Sequence, residues 1–165
     1  MKNIKGISFL YNDVIGNLEI IEETDGISEI NFLRNEKIEN RKKLYNIFVE
    51  SPLTKECKKQ LEEYFSGNRK FFNIKLDIKG TDFQKSCWYA MMKVAYGETI
   101  SYSEEAKMMG NEKAVRAVGS ANGKNNIPII IPCHRIISKN GNLGGYSGGL
   151  DIKIYLLELE KKFNA

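Results

Sequence analysis

The chain holds a single histidine, His134, and it directly follows a cysteine, Cys133, inside the apolar run from Ile127 to Ile137 (IPIIIPCHRII). Such a run predicts a buried strand that leads into a site. A free thiol has a pKa of about 8.5, so little of it is thiolate at neutral pH, and a nearby imidazole able to take the proton raises that fraction. A nucleophilic cysteine is one reading of the pair. A buried cysteine beside a structural histidine is the other, because cysteine is among the most buried residue types. Successive side chains on a strand point to opposite faces, so the two cooperate only if the chain turns here or a water bridges them. Pro132 favours an irregular strand end.

Several function classes are excluded or disfavoured by the rest of the chain. With 165 residues, 42% of them hydrophobic and 28% charged, it has material for one ordinary domain or two small ones with a core. No apolar run approaches a membrane span, and the opening MKNIKGISFL alternates instead of forming a signal-peptide block, so a cytoplasmic protein without membrane contact is expected. The three cysteines, Cys57, Cys87 and Cys133, are odd in number and widely spaced, which argues against a disulfide framework. With one histidine and neither a CxxC nor an HxxxH pair, no metal site is expected. The net charge is only +4, but from Ala106 to Lys139 there are six basic residues (Lys107, Lys113, Arg116, Lys124, Arg135, Lys139) against Glu112 alone. A patch of that kind suits phosphate backbones, and it equally describes a solvated face.

Along the chain, Ile7 to Tyr11, Asn17 to Ile21 and Ile27 to Leu33 read as strands of an antiparallel meander, separated by the turn residues Asn12-Asp13 and Thr24-Asp25-Gly26. Glu36 to Lys43 reads as a loop or an exposed helical turn, followed by a short apolar segment, Leu44 to Val49. Ser51 before Pro52 opens an amphipathic helix carrying Leu53, Cys57, Leu61 and Tyr64/Phe65 until Gly67. Phe71 to Ile78 has strand character, and Lys79-Gly80 reads as a linker, giving domains 1–79 and 80–165.

Beyond the linker, the capping box Thr81-Asp82-Phe83-Gln84 opens a helix through Val94, with Cys87 on its core side. A second box, Ser101-Tyr102-Ser103-Glu104, starts a shorter helix ending at Gly110, and Asn111 caps a third carrying Ala114, Val115, Val118 and Ala121. Two short helices joined in this way suggest a helix-turn-helix, with Arg116 off the apolar stripe. Lys139-Asn140-Gly141-Asn142 reads as a hairpin turn and a possible wing. A last helix runs from about Leu150 to Lys162, with Ile152, Tyr155/Leu156 and Leu159 inward.

The motif IPCHRI followed by the glycine-rich YSGGL resembles the signature of the O6-alkylguanine-DNA alkyltransferases, the methylated-DNA-protein-cysteine methyltransferases, in a bacterial-type form. The resemblance runs from about Thr81 to Glu160. It implies a C-terminal winged helix-turn-helix-like domain and, before it, a small ribonuclease-H-like α/β domain, so an α/β fold class. It implies irreversible transfer of a methyl or larger alkyl group from guanine O6 in double-stranded DNA to Cys133, once per molecule. Cys133, His134 and Glu160 would form a cysteine-water-histidine-glutamate relay, and Tyr102 would crowd the nucleotide's phosphate and help the departing guanine.

The same resemblance makes Arg116 the finger that fills the space left by an extruded base, and Asn125 the hinge tying the third helix to the cysteine strand. It puts Ser147 and Tyr146 in the guanine pocket and implies a monomer with no cofactor. Asn126 stands where many relatives carry proline. Three rival classes remain to be told apart by experiment: a module that binds lesions without transfer, a Cys-His acyl hydrolase, and a regulator using the helix-turn-helix alone.

Overall fold

The computed structural model describes residues 2–45 and 49–165. The chain divides into two compact units, one ending at Ile78 and the other beginning at Lys79.

In the first unit β1 (Gly6–Asn12), β2 (Gly16–Glu23) and β3 (Gly26–Arg34) form an antiparallel meander in that order. The alternation in the sequence places these strands to within a residue or two. The turn between β1 and β2 is closed by the Asn12 side chain, which accepts from the Val14 and Ile15 amides at 2.9 and 3.0 Å. After the exposed turn α1 (Ile38–Lys42), helix α2 (Pro52–Phe65) lays Cys57, Leu61 and Tyr64 against the sheet. Its Ser51 cap is answered by Thr54, whose hydroxyl accepts from the Ser51 amide at 3.0 Å.

The strand expected over Phe71 to Ile78 is absent: among the described residues only Leu76 forms a bridge, to Ile27. The Gln60 side chain takes both backbone groups of Asn73, at 3.2 and 2.9 Å, so that backbone is not free for a ladder. The apolar segment Leu44 to Val49 lies partly outside the described residues.

The second unit runs α3 (Asp82–Met91), β4 (Ile100–Ser101), α4 (Tyr102–Met108), α5 (Val115–Asn122), a 3-10 turn (Cys133–Arg135), β5 (Ile136–Ile137) and α6 (Leu150–Phe163). Both capping boxes read from the sequence are formed. Helix α3 stops three residues before Val94 because its last turn tightens, Val94 N–H reaching the Met91 carbonyl at 3.0 Å. It is anchored on α5 by the buried Trp88, whose indole N–H donates to the Ala121 carbonyl at 2.9 Å.

Four expectations for this unit are corrected. Asn111 does not cap α5: its amide closes the end of α4 on the Ala106 carbonyl at 3.0 Å, beyond Gly110 at φ 75°, and α5 begins only at Val115 with no side-chain cap. Ile127 to Ile131 is buried as expected but not extended. Pro128 has no N–H to give a ladder and Pro132 follows directly, and the stretch folds into a turn in which Ile131 N–H meets the Ile127 carbonyl at 3.0 Å. The turn at 138–142 exists, with Ser138 N–H donating to the Asn142 carbonyl at 2.8 Å, but it is not a hairpin: no returning strand follows it among the described residues, and β5 pairs in parallel with β4. Arg135, counted with the basic patch, is buried, whereas Lys107, Lys113, Arg116, Lys124 and Lys139 are exposed.

Candidate active site

The chain does turn at the Cys-His pair. Pro132, at φ −84° and ψ 63°, leads out of the buried turn at 127–131, and Cys133, His134 and Arg135 follow in one 3-10 turn. Three consecutive side chains thus leave the backbone in different directions, and all three are buried. Asn125 holds the turn from behind: its amide donates to the Ile131 carbonyl and its oxygen accepts from Ile127 N–H, both at 2.9 Å. Its side chain also acts on the Cys133 thiol, drawing the pKa down.

Helix α6 supplies the other side. Ile152, Leu156 and Leu159 bury one stripe, and Lys153 and Glu160, two helical turns apart, are buried beside it. The Glu160 carboxylate is the hub. It meets His134 Nε2 at 2.7 Å, accepts from Arg135 Nε and Nη2 at 3.0 and 2.9 Å, and accepts from Gly97 N–H at 3.1 Å. Burial pushes its pKa up, but the bonds from His134 and Arg135 outweigh this and hold it at about 2.

Burial drives His134 the other way, below its ordinary value, against the pull of Glu160. Arg135 already supplies a full positive charge to the carboxylate, so a second cation is not needed there, and the imidazole is neutral. A neutral imidazole facing a carboxylate through Nε2 carries its proton on Nε2. Nδ1 is then the basic nitrogen; it is buried and has no hydrogen-bond partner among the described residues.

Cys133 is 7% exposed. Burial pushes its thiol up to about 11, against the opposing effects of Asn125 and Lys153, so the resting sulfur is protonated instead of a standing thiolate. Lys153 Nζ donates to the Ile136 and Gly145 carbonyls at 2.6 and 3.1 Å, and burial lowers its pKa to about 8. Cys133 lies in the wall of a cleft of about 400 Å³ lined also by Tyr102, Gly119, Asn122, Gly123, Tyr146 and Ser147. Tyr102, first residue of α4, is half-buried, and burial raises its pKa, as it does well beyond the ordinary range for Tyr146. Gly144, at φ 71°, lets the chain pass so close to Tyr102 that a Cβ there would sit 2.7 Å from the phenol oxygen.

Of the residues singled out from sequence, Cys133, His134 and Glu160 come together, Asn125 braces them, and Tyr102, Tyr146 and Ser147 line the cleft beside Cys133. Arg116 stands apart, exposed on the first turn of α5. Cys57 and Cys87 are buried and free, each raised by burial, to about 12 and about 11. No group of three or more possible metal ligands occurs among the described residues. Sequence reasoning missed Arg135 and Lys153 as members of the site. Lys153 carried a signal: a lysine on the buried stripe of an amphipathic helix, seven residues from Glu160, needs a partner inside.

Comparison with known proteins covers both units. A family model for the 6-O-methylguanine DNA methyltransferase DNA binding domain matches residues 82–162, and one for the ribonuclease-like domain of the same proteins matches residues 8–78. A methylated-DNA-protein-cysteine methyltransferase of Methanosarcina acetivorans is 45% identical over 92% of this chain and 96% of its own. The constitutive enzyme of Bacillus subtilis is 43% identical over 89% and 90%. Among solved structures, Mycobacterium tuberculosis OGT in complex with DNA superposes with a TM-score of 0.81 at 38% identity, covering 94% of this chain and 92% of that one.

Proposed function

The chain belongs to the 6-O-methylguanine DNA methyltransferase family, and from that premise we propose that Cys133 takes the alkyl group from O6 of a modified guanine in double-stranded DNA. The buried His134, with Nε2 2.7 Å from the Glu160 carboxylate and Nδ1 without a hydrogen-bond partner among the described residues, is the observation that carries this assignment. A thiol raised to about 11 needs a base at the moment of attack, and the imidazole is that base, reached through a water. Sulfur attacks the alkyl carbon, the carbon–oxygen bond breaks, and its electron pair leaves with guanine. The thiol proton passes to His134, whose new charge is stabilised by Glu160. Tyr102 donates a hydrogen bond to the departing base, lowering the cost of its negative charge. Nothing in this balance calls for a metal or an organic cofactor.

A base within the duplex stack does not present its O6 substituent to a buried sulfur, so the nucleotide swings out into the cleft between Tyr102 and the segment carrying Tyr146 and Ser147. Exposed Arg116 enters the space it leaves. The exposed lysines around α4 and α5 meet phosphates, so binding depends on salt more than on sequence. The product is a thioether that neither imidazole nor thiol cleaves, and each molecule acts once.

The test is the mass of the intact protein after incubation with benzylguanine, followed by peptide mapping. One benzyl group on the peptide containing Cys133, and none on Cys133→Ser, is expected. Label on Cys57 or Cys87, or continued turnover, overturns the assignment.

A further inference from the structure

A buried acid outside the relay is bonded to a residue that lines the same cleft. Glu105, on α4, is fully buried, and its Oε2 accepts from the Asn122 side-chain amide at 2.6 Å. Asn122 is the last residue of α5 and lines the cleft in front of Cys133. An ionised carboxylate and a carboxamide have one donor group to share here. Glu105 Oε1 and Asn122 Oδ1 are both buried without a hydrogen-bond partner among the described residues. Two buried acceptors left without a donor are costly, and a single proton on the carboxyl, placed between them, satisfies both.

We propose that Glu105 is a positioning residue for alkyl transfer, holding its carboxyl proton and pairing with the Asn122 carboxamide through two hydrogen bonds that fix one wall of the cleft. The surroundings favour the proton. Burial raises the Glu105 pKa to about 7, with only the Asn122 bond pulling it down, so no cation compensates a charge there. Cys87 faces it from α3, Cys133 from the 3-10 turn and Tyr102 from its own helix. All three are acids whose ionisation a negative Glu105 opposes. The neutral form therefore does two things: it sets the Asn122 amide beside the incoming base, and it keeps a negative charge away from a sulfur that must become negative to react.

This inference rests on the transfer function assigned to Cys133, and its failure reads differently. The rate of Cys133 labelling by benzylguanine is measured from about pH 6 to about pH 9 for the wild type, Glu105→Gln and Glu105→Leu. Glutamine keeps a donor and an acceptor toward Asn122 but has no proton to lose. The ratio of Glu105→Gln to wild-type rate should climb from about 1 at the acid end to several-fold above about pH 8, where the wild type carries the extra charge. Glu105→Leu, lacking the pair, should react more slowly than Glu105→Gln at every pH.

A ratio that stays level across the range, with labelling intact in every protein, overturns the inference and leaves the transfer function standing. Absence of labelling in the wild type overturns the function instead. Should the variants fail to fold, infrared spectroscopy of the wild type labelled with 13C-glutamate decides: a protonated, hydrogen-bonded carboxyl band present near pH 6 and lost above about pH 8 supports the pair. No such band means an ionised Glu105, and the inference falls.

Discussion

Replacing Glu160 with glutamine removes the negative charge that faces both His134 and Arg135 while keeping the side chain's size. In the fold the carboxyl is held at about 2, against an ordinary 4.5, a difference worth roughly 3 kcal/mol in favour of the ionised form. Without it, Arg135, 7% exposed, loses its carboxylate and keeps the Val94 carbonyl, which accepts from Nη1 at 2.7 Å, and the face of the Tyr96 ring. A buried charge stripped of its partner typically costs about 3–5 kcal/mol. The two routes agree on a loss of about 3–4 kcal/mol from the second unit. Trp88, the one tryptophan, lies in that unit, so its fluorescence during urea unfolding reports the loss directly. At a slope of about 1–1.5 kcal/mol per molar, the midpoint falls by roughly 2–4 M.

The pH dependence follows from the depressed value. The Glu160 contribution is complete above about 4.5, shrinks as pH falls and is gone below about 2, so wild type and variant converge on acidification. Adding Arg135→Met to Glu160→Gln should recover part of the loss, since no unpaired guanidinium remains. A difference under about 1 kcal/mol at neutral pH, the size expected of an exposed pair, refutes the hub described here. So does a difference that persists undiminished in acid.

The remaining expectations concern the reaction. Arg116→Ala should slow repair of duplex DNA by at least about tenfold and leave the reaction with free benzylguanine nearly unchanged, because the guanidinium acts only where a base must leave a stack; equal loss on both substrates refutes the finger. Lys153→Met removes a cation that favours the Cys133 thiolate and frees the Ile136 and Gly145 carbonyls. Its labelling rate should fall several-fold at neutral pH, with the apparent thiol pKa rising; a pKa identical to wild type would reduce Lys153 to a strut.

What could be read from the sequence was what local chemistry decides. The capping boxes at Thr81 and Ser101, the meander and the helix from Ser51 each rest on side chains that act within a few residues of themselves. The signature around Cys133 named three side chains, Cys133, His134 and Glu160, that the fold brings together. What escaped was set by partners far along the chain: Gln60 claiming the backbone of Asn73, β4 pairing with β5 where a hairpin was expected, and Glu160 drawing Arg135 inward from what looked like a basic surface. Glu105 was similarly hidden, an acid in a capping-box helix whose inward face only α5 reveals.

At Gly144 the main chain rides on the Tyr102 ring with no room for even a methyl group between them. These two parts of the wall beside Cys133 are therefore gauged against each other by rigid pieces, a peptide unit and an aromatic plane. Any side chain at position 144 would have to push the ring aside, so the spacing there is set by the backbone and not by a rotamer.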